Sequence, residues 1–203
     1  MYKDIYLKNA YEEIVKLIDE KTRVLDLGCG NGDLLKMLMD RKDVYGLGID
    51  ISTNEILECI KRGVSVIQED IDENLEKIKD NSYDYVILSE TLQAVKRPDY
   101  VLKQMVRIGN RGIVSFPNFA HIKNRLEIFI NGRMPKSKVL PFEWYNTPNI
   151  HLLTVKDFRC FCKDNDISIL NEIFFTSEGS KRRFFGGLEN LLAEEAVFVI
   201  KKN

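Results

Sequence analysis

The chain has 203 residues, a net charge of −1 and a hydrophobic fraction of 44%. This length fits one domain and buries roughly 70% of the unfolded surface, so the core needs neither a disulfide nor a metal ion. The balanced charge argues against nucleic acid as a partner, because nucleic-acid-binding domains usually carry a basic excess.

The cysteines and the start of the chain bear on its location. The four cysteines, Cys29, Cys59, Cys160 and Cys162, form no CxxC pair and lack the spacing of a zinc site. Scattered free thiols are typical of a reducing compartment. The N-terminus has no apolar signal core, and no apolar run approaches the ~20 residues that span a bilayer. We therefore expect a soluble, cytoplasmic protein with no membrane partner.

The apolar pattern predicts helices and strands that alternate along the chain. In the first half, helices are predicted at 8–20, 33–39 and 53–62, and strands at 23–27, 44–49 and 65–68. In the second half, helices are predicted at 100–107, 121–130 and 154–163, and strands at 85–88, 111–116, 168–174 and 196–201. Such alternation is typical of a parallel sheet with helices on both faces. Because no convincing helix separates the last two strands, we expect a mostly parallel seven-stranded sheet whose last strand is antiparallel.

One long segment does not follow this alternation. Residues 133–150 hold three of the five prolines together with Trp144 and Tyr145. A loop of this length is usually functional or disordered, and its aromatic residues argue against disorder. We expect residues 1–203 to form a single domain in which 118–151 is an insert or lid.

A glycine-rich loop joins the first predicted strand to the next helix. It reads Asp26-Leu27-Gly28-Cys29-Gly30-Asn31-Gly32. Glycines let the backbone turn sharply and approach a ligand, and the helix N-terminus behind them offers free amides and a partial positive charge. The spacing differs from the dinucleotide fingerprint, since the third glycine comes one residue early and Asp33 stands in its place. Taken alone, the loop also fits a tight turn without a ligand.

Polar residues follow at the ends of the next three predicted strands. Asp50 closes the second strand, eighteen residues after Gly32, where an acid can accept hydrogen bonds from both ribose hydroxyls of a nucleoside. Asp70 closes the third strand and Ser89 closes the fourth. Ligands of open parallel sheets bind at the carboxyl ends of the strands. Together with the glycine loop, these strand ends predict a nucleoside site.

The D-x-G-x-G-x-G loop resembles motif I of the class I S-adenosylmethionine-dependent methyltransferases. Later segments are similar to the MetW family of methionine biosynthesis proteins: 83–93, 115–121 with 123–125, and 132–135 with 144–151. The resemblance runs from about residue 10 to the end. It implies a Rossmann-like class I methyltransferase fold with S-adenosylmethionine, or its product S-adenosylhomocysteine, as the cofactor. The family is linked to methionine biosynthesis, where it is thought to support homoserine O-acyltransferase.

The resemblance also assigns roles at the strand ends. It implies that Asp70 recognises the adenine amino group and that the Ser89 carbonyl meets the methionine amino group, with Asp26 near the same charged end. The expected cofactor-binding residues are Asp26, Gly28, Cys29, Gly30, Gly32, Asp50, Ile51, Asp70, Ile71 and Ser89.

Three acidic residues depart from the family's pattern. Asp50 and Glu90 stand where a Glu and a Gln are common, and Glu69 stands where a Gly is common. Asp50 preserves the ribose chemistry, whereas Glu69 adds a charge near the adenine edge.

The motifs identify no methyl acceptor. Methyl transfer needs the donor and acceptor to be oriented, with a general base for a weak nucleophile. The chain has no N/D-P-P-Y motif and no Pro-Cys pair, which argues against methylation of nucleic acid bases. The candidate catalytic residues are His121, His151 and Tyr145. Each histidine fits either a base near neutral pH or a structural hydrogen bond. Tyr145 and Trp144 fit a lid or an interface better than catalysis, and we expect all four side chains in one cleft beside the methyl group.

Two functions remain open from the sequence. In the first, the chain is a transferase that methylates a small-molecule acceptor while 118–151 closes over it. In the second, the chain senses S-adenosylmethionine as a partner subunit of homoserine O-acyltransferase, and the same segment is its docking surface. The missing catalytic motif favours the second function. A nicotinamide oxidoreductase is disfavoured by the loop spacing.

Overall fold

Eight strands form one sheet in the computed structural model, which describes residues 2–137, 139–176, 180–182, 184 and 187–203, with side chains from Asn9 onward. The strands are β1 (Arg23–Leu27), β2 (Tyr45–Asp50), β3 (Val66–Gln68), β4 (Tyr83–Ser89), β5 (Gly109–Pro117), β6 (Ile167–Phe175), β7 (Lys181–Arg182) and β8 (Glu195–Lys202). Their spatial order is β3-β2-β1-β4-β5-β8-β6-β7. Strands β1 to β5 are parallel, while β8 runs antiparallel to both β5 and β6.

Helices cover both faces of this sheet. They are α1 (Tyr2–Leu17), α2 (Asp33–Lys42), α3 (Thr53–Lys61), α4 (Pro98–Ile108), α5 (Ile122–Asn131), α6 (Val155–Asp164) and α7 (Glu189–Leu192), with a 3-10 turn at Leu75–Lys77. Among the described residues, no helix is long and apolar enough to cross a membrane. The predicted α/β architecture, with a mostly parallel sheet between two helical layers, is confirmed.

Alternate residues of each strand enter two separate cores. Val24 of β1 and Val197 of β8 face α1 and pack with its Ile14. On the other face, the rings of Phe116, Phe158 and Phe198 have centroids 4.7 to 5.6 Å apart. Burying a side chain of this size contributes roughly 1.5–3 kcal/mol. Both cores therefore hold β8 in the middle of the sheet.

Several elements differ from the prediction, including the short helix α7, which lies between β7 and β8 and was not predicted. The two-residue strand β7 pairs antiparallel with β6 and adds an edge to the seven predicted strands. Two residues are too few to leave a periodic pattern in the sequence. In addition, α1 begins at Tyr2 rather than residue 8.

The segment 118–151 contains one helix, α5, followed by a loop without further helices or strands among its described residues. Lys138, which falls inside the predicted lid, lies outside the described residues. The role of 118–151 as a lid stays a prediction.

Candidate functional site

The carboxyl ends of β1 to β4 meet at one edge of the sheet, where the glycine loop lies. Gly28, Gly30 and Gly32 have φ values of 73°, 52° and 79°, a region that other residues rarely adopt. The backbone amides of Gly28 and Cys29 donate to the carbonyl of Ile49 at 2.8 and 3.0 Å. These bonds hold the loop against the end of β2.

The side chain of Asp50, the last residue of β2, also holds this loop through hydrogen bonds. Its Oδ2 accepts a hydrogen bond from the backbone amide of Gly30 at 2.8 Å, and its Oδ1 accepts one from the amide of Ser52 at 2.9 Å. Each carboxylate oxygen has a further lone pair, which a ligand hydroxyl can use. The residue predicted to bind a ribose therefore also shapes the glycine loop.

A cleft of about 290 Å³ opens beside this loop. The predicted cofactor residues that line it are Gly28, Asp50, Ile51, Asp70 and Ile71. Ile51 is 64% exposed and offers an apolar surface that a planar ring would cover. The size is close to the lower limit of small-molecule sites, ~300 Å³. The structure thus brings half of the predicted cofactor set to one cleft.

The far wall of the cleft was missed by sequence reasoning. It is lined by Thr91, Ala94, Val95 and Lys96, which follow β4. The carboxylate of Asp72 fixes the end of this wall, because it accepts hydrogen bonds from the backbone amides of Lys96 and Arg97 at 2.9 and 2.7 Å. These residues carry no spacing pattern that would mark them as a wall.

Gly28 lies close to this wall. A Cβ atom at Gly28 would lie 2.6 Å from Cγ2 and 2.8 Å from Oγ1 of Thr91. Both distances are shorter than van der Waals contact, so a larger residue at Gly28 would push the glycine loop and the Thr91 wall apart. Glycine at this position therefore lets the loop lie close to Thr91.

Asp26 and Ser89, predicted for the charged end of the ligand, lie at the ends of the adjacent strands β1 and β4. Asp26 is 3% exposed, and its Oδ1 accepts no hydrogen bond from any described residue. Burial, with a smaller contribution from Asp50, raises the pKa of Asp26 to about 7. The Ser89 carbonyl accepts a hydrogen bond from the Thr91 hydroxyl at 2.9 Å and retains one lone pair.

Cys29 and Gly32 belong to the loop but do not line the cleft; both lie against Cys59 of α3. Sγ of Cys29 is 4.0 Å from Sγ of Cys59, and burial raises the pKa of the Cys29 thiol. A Cβ atom at Gly32 would lie 2.9 Å from Sγ of Cys59. Both residues therefore let α3 pack against the loop, and the contribution of Cys59 was missed from the sequence.

The two histidines lie in different surroundings, and neither lines the 290 Å³ cleft. His121 caps α5: its Nδ1 accepts a hydrogen bond from the amide of Lys123 at 3.3 Å, and its Nε2 lies 3.9 Å from Oε1 of Glu194. Burial lowers the pKa of His121 despite that carboxylate, so the imidazole is neutral at pH 7. His151 lines a separate, mostly apolar cavity of about 340 Å³ beside α4 and α6.

Trp144 and Tyr145 project from the loop with 75% and 70% of their surfaces exposed. Their rings meet edge to face at 5.7 Å. No hydrogen bond or ring contact among the described residues joins them to His121 or His151. The common cleft of these four side chains therefore stays a prediction, without support from a direct contact.

Known proteins resemble the chain in sequence. A family model described as "Methionine biosynthesis protein MetW" matches residues 8–200. The "Bifunctional methionine biosynthesis protein MetXA/MetW" of Rhodopirellula baltica is 35% identical over 208 residues, covering 98% of this chain and 33% of that protein. The "Carboxy-S-adenosyl-L-methionine synthase" of Campylobacter hominis is 30% identical over 110 residues, 51% of this chain and 47% of that protein. The chain thus spans about a third and about half of the lengths of these relatives.

Solved structures resemble it in fold. A SAM-dependent methyltransferase from Archaeoglobus fulgidus has a TM-score of 0.68 at 15% identity, covering 98% of this chain and 94% of that one. Magnesium protoporphyrin IX methyltransferase from Synechocystis, solved with bound SAH, has a TM-score of 0.70 at 15% identity, covering 98% and 84%. These likenesses confirm the predicted Rossmann-like class I methyltransferase fold.

Proposed function

The chain belongs to the MetW family of methionine biosynthesis proteins, and we propose that it binds S-adenosylmethionine and regulates homoserine O-acyltransferase as a partner subunit. The observation that carries the proposal is a pair of hydrogen bonds that joins the wall of the 290 Å³ cleft to an exposed apolar segment. The backbone amides of Ile150 and His151 both donate to the carbonyl of Gln93, at 2.8 and 3.0 Å.

The charges of the cleft favour an adenosyl ligand without phosphates. Three of its acids are Asp50, Glu69 and Asp70, and Lys96 is the basic residue in its lining. A pyrophosphate would be repelled by this arrangement, which disfavours a dinucleotide. S-adenosylmethionine and S-adenosylhomocysteine instead present ribose hydroxyls and an adenine amino group, which are donors that Asp50 and Asp70 can accept from.

The surface proposed for the partner begins on α5. Leu126, Phe129 and Ile130 share one side of this helix at i, i+3 and i+4 spacing, and they are 46%, 86% and 70% exposed. Leu126 and Ile130 also line a groove of about 460 Å³ with Pro135. Large exposed apolar groups on one helix side are typical of an interaction site.

Trp144 and Tyr145 extend the proposed docking surface into the loop. Both are exposed and contact each other edge to face. Aromatic residues of this kind supply much of the binding energy at protein interfaces. They are the anchors that we propose for the acyltransferase.

The Gln93 hydrogen bonds supply a route between the two sites. Thr91 and Ala94 lie on either side of this stretch and line the donor cleft. A ligand that orders the wall therefore also acts on the backbone at 150–151, which follows the aromatic loop. One relative supports the partnership: its printed name joins MetXA and MetW in a single chain, an arrangement that holds two modules at high effective concentration.

Mixing the purified chain with homoserine O-acyltransferase tests the proposal. We expect a complex in size-exclusion chromatography and a change in acyltransferase rate when S-adenosylmethionine is added. Tyr145→Ala should weaken the complex. Tyr45→Ala is the matched control, because Tyr45 is 72% exposed but stands at the opposite end of β2. No complex with or without the donor, together with turnover of a small-molecule acceptor, would favour the methyltransferase alternative.

A further inference from the structure

A buried acidic cluster lies under α1, at the edge of the sheet that carries the glycine loop. Asp26 of β1 and Glu195 of β8 face α1, because Val24 and Val197, two residues away on each strand, pack in the α1 core. Glu195 pairs with Pro117 at the end of β5, so it stands at the ligand edge. Glu90 directly follows Ser89, the last residue of β4.

Tyr11 of α1 lies near these acids. Its ring packs against the α1 core. Burial raises the pKa of the Tyr11 phenol well above its ordinary value, and the nearby carboxylates of Asp26, Glu90 and Glu195 raise it further. The Tyr11 hydroxyl therefore stays protonated close to these three acids.

Two buried carboxylate oxygens of the cluster lack a hydrogen-bond donor. Asp26 and Glu195 are each 3% exposed, and no described residue donates to Oδ1 of Asp26 or Oε1 of Glu195. Burial, and then Glu90, raise the pKa of Glu195 well above its ordinary value. Unpaired acids in a core are destabilising, and apolar residues of similar size would serve stability better. The cluster is therefore suited to a ligand that brings positive charge.

We propose that Glu195 and Glu90, with Tyr11 beside them, form a subsite for the ammonium group of a small amine. Asp26 is left for the charged end of the donor, as the family resemblance implies. Glu90 immediately precedes Thr91, which lines the donor cleft, so an amine here would lie next to the donor. The ligand class is a compact primary or secondary amine, because an ammonium donates up to three hydrogen bonds to carboxylates and a phenol oxygen.

An ammonium ligand gives these acids a reason to be buried, whereas the stability of the fold alone does not. The subsite does not depend on the acyltransferase partner. Saturation-transfer NMR with butylammonium tests it on the whole chain at pH 7, and 1-butanol is the uncharged counterpart. We expect butylammonium to bind and butanol not to bind. Glu195→Gln should weaken amine binding by about tenfold to a hundredfold, as for a lost charged hydrogen bond.

Glu73→Gln, an exposed acid elsewhere, should leave amine binding unchanged. Calorimetry in two buffers of different ionisation enthalpy should also detect protons released when butylammonium binds, since Glu195 must ionise to pair with it. Amine binding should persist when S-adenosylhomocysteine is added. Displacement by S-adenosylhomocysteine would show that the acids hold the donor's own ammonium group. That result, an absence of amine binding, or equal binding by Glu195→Gln would overturn the subsite.

Discussion

The backbone amide of Gly30 donates to Oδ2 of Asp50 at 2.8 Å, so the carboxylate that ends β2 shapes the loop beside the proposed donor. Asp50→Ala removes this bond together with the acceptor for the ribose. We expect the affinity for S-adenosylhomocysteine to fall about tenfold to a hundredfold, since a hydrogen bond to a charged group contributes ~1.5–3 kcal/mol. Isothermal titration calorimetry measures the change, with Asp40→Ala on the exposed side of α2 as the control. An unchanged affinity would remove Asp50 from the donor site.

A comparison of Gly28 with Gly63 separates the cost of a left-handed backbone from the cost of contact with the cleft wall. Gly28 and Gly63 have nearly the same φ, 73° and 72°, but a Cβ atom at Gly63 meets nothing within 4 Å. Gly63→Ala should therefore show only the cost of the left-handed backbone, about 1–2 kcal/mol. Gly28→Ala adds the collision with Thr91, so we expect a larger loss of stability in urea unfolding and a loss of S-adenosylhomocysteine binding. Equal effects of the two variants would argue against a tight wall at Gly28.

Much of the site follows from local sequence. Asp50 and Asp70 could be placed because Asp50 ends β2 and Asp70 follows β3 by two residues, and parallel strands end at one edge of the sheet. Gly28 could be placed because glycine is the residue that tolerates its φ.

Other parts of the site depend on long-range packing. Glu195 begins the last strand, and only the antiparallel insertion of β8 beside β5 brings it to the ligand edge. Cys59 lies thirty residues from Cys29 and meets it only when α3 packs behind the loop. No local pattern marks such contacts, and the same holds for the two residues of β7.

Buried acids set the pH dependence of folding stability. The pKa of Asp26 rises from 3.8 to about 7 on folding, so the folded chain binds this proton more tightly than the unfolded chain. Stability should therefore fall as the pH rises from about 4 to 7, and level off above that. Asp26→Asn should remove on the order of 4 kcal/mol of this loss. Urea unfolding between pH 4 and 7 measures how the free energy of unfolding changes with pH, and Asp40→Asn should leave that change as it is. If Asp26→Asn also leaves it as it is, the pKa of Asp26 is not raised by folding.

The carbonyl of Gln93 leads to the last prediction, which concerns coupling between donor and partner. If the wall of the cleft transmits donor binding to residues 150–151, S-adenosylmethionine should change the affinity for homoserine O-acyltransferase by about 5- to 150-fold, and the acyltransferase should change the affinity for S-adenosylmethionine by the same factor. The side chain of Gln93 also matters, because its Nε2 donates to the carbonyl of Glu90 at 2.7 Å and fixes the turn between them.

Gln93→Ala removes that bond while the backbone acceptor for Ile150 and His151 remains. We expect this variant to bind S-adenosylmethionine and the acyltransferase when each is present alone. The coupling factor between them should be smaller, because the turn between Glu90 and Gln93 is no longer held by this bond. Gln104→Ala is the control, because Gln104 accepts a hydrogen bond from Arg107 away from the cleft. Titrations of each ligand with and without the other give all four affinities. A coupling factor of one in the unmodified chain would show that the two sites act independently, whatever the variants do.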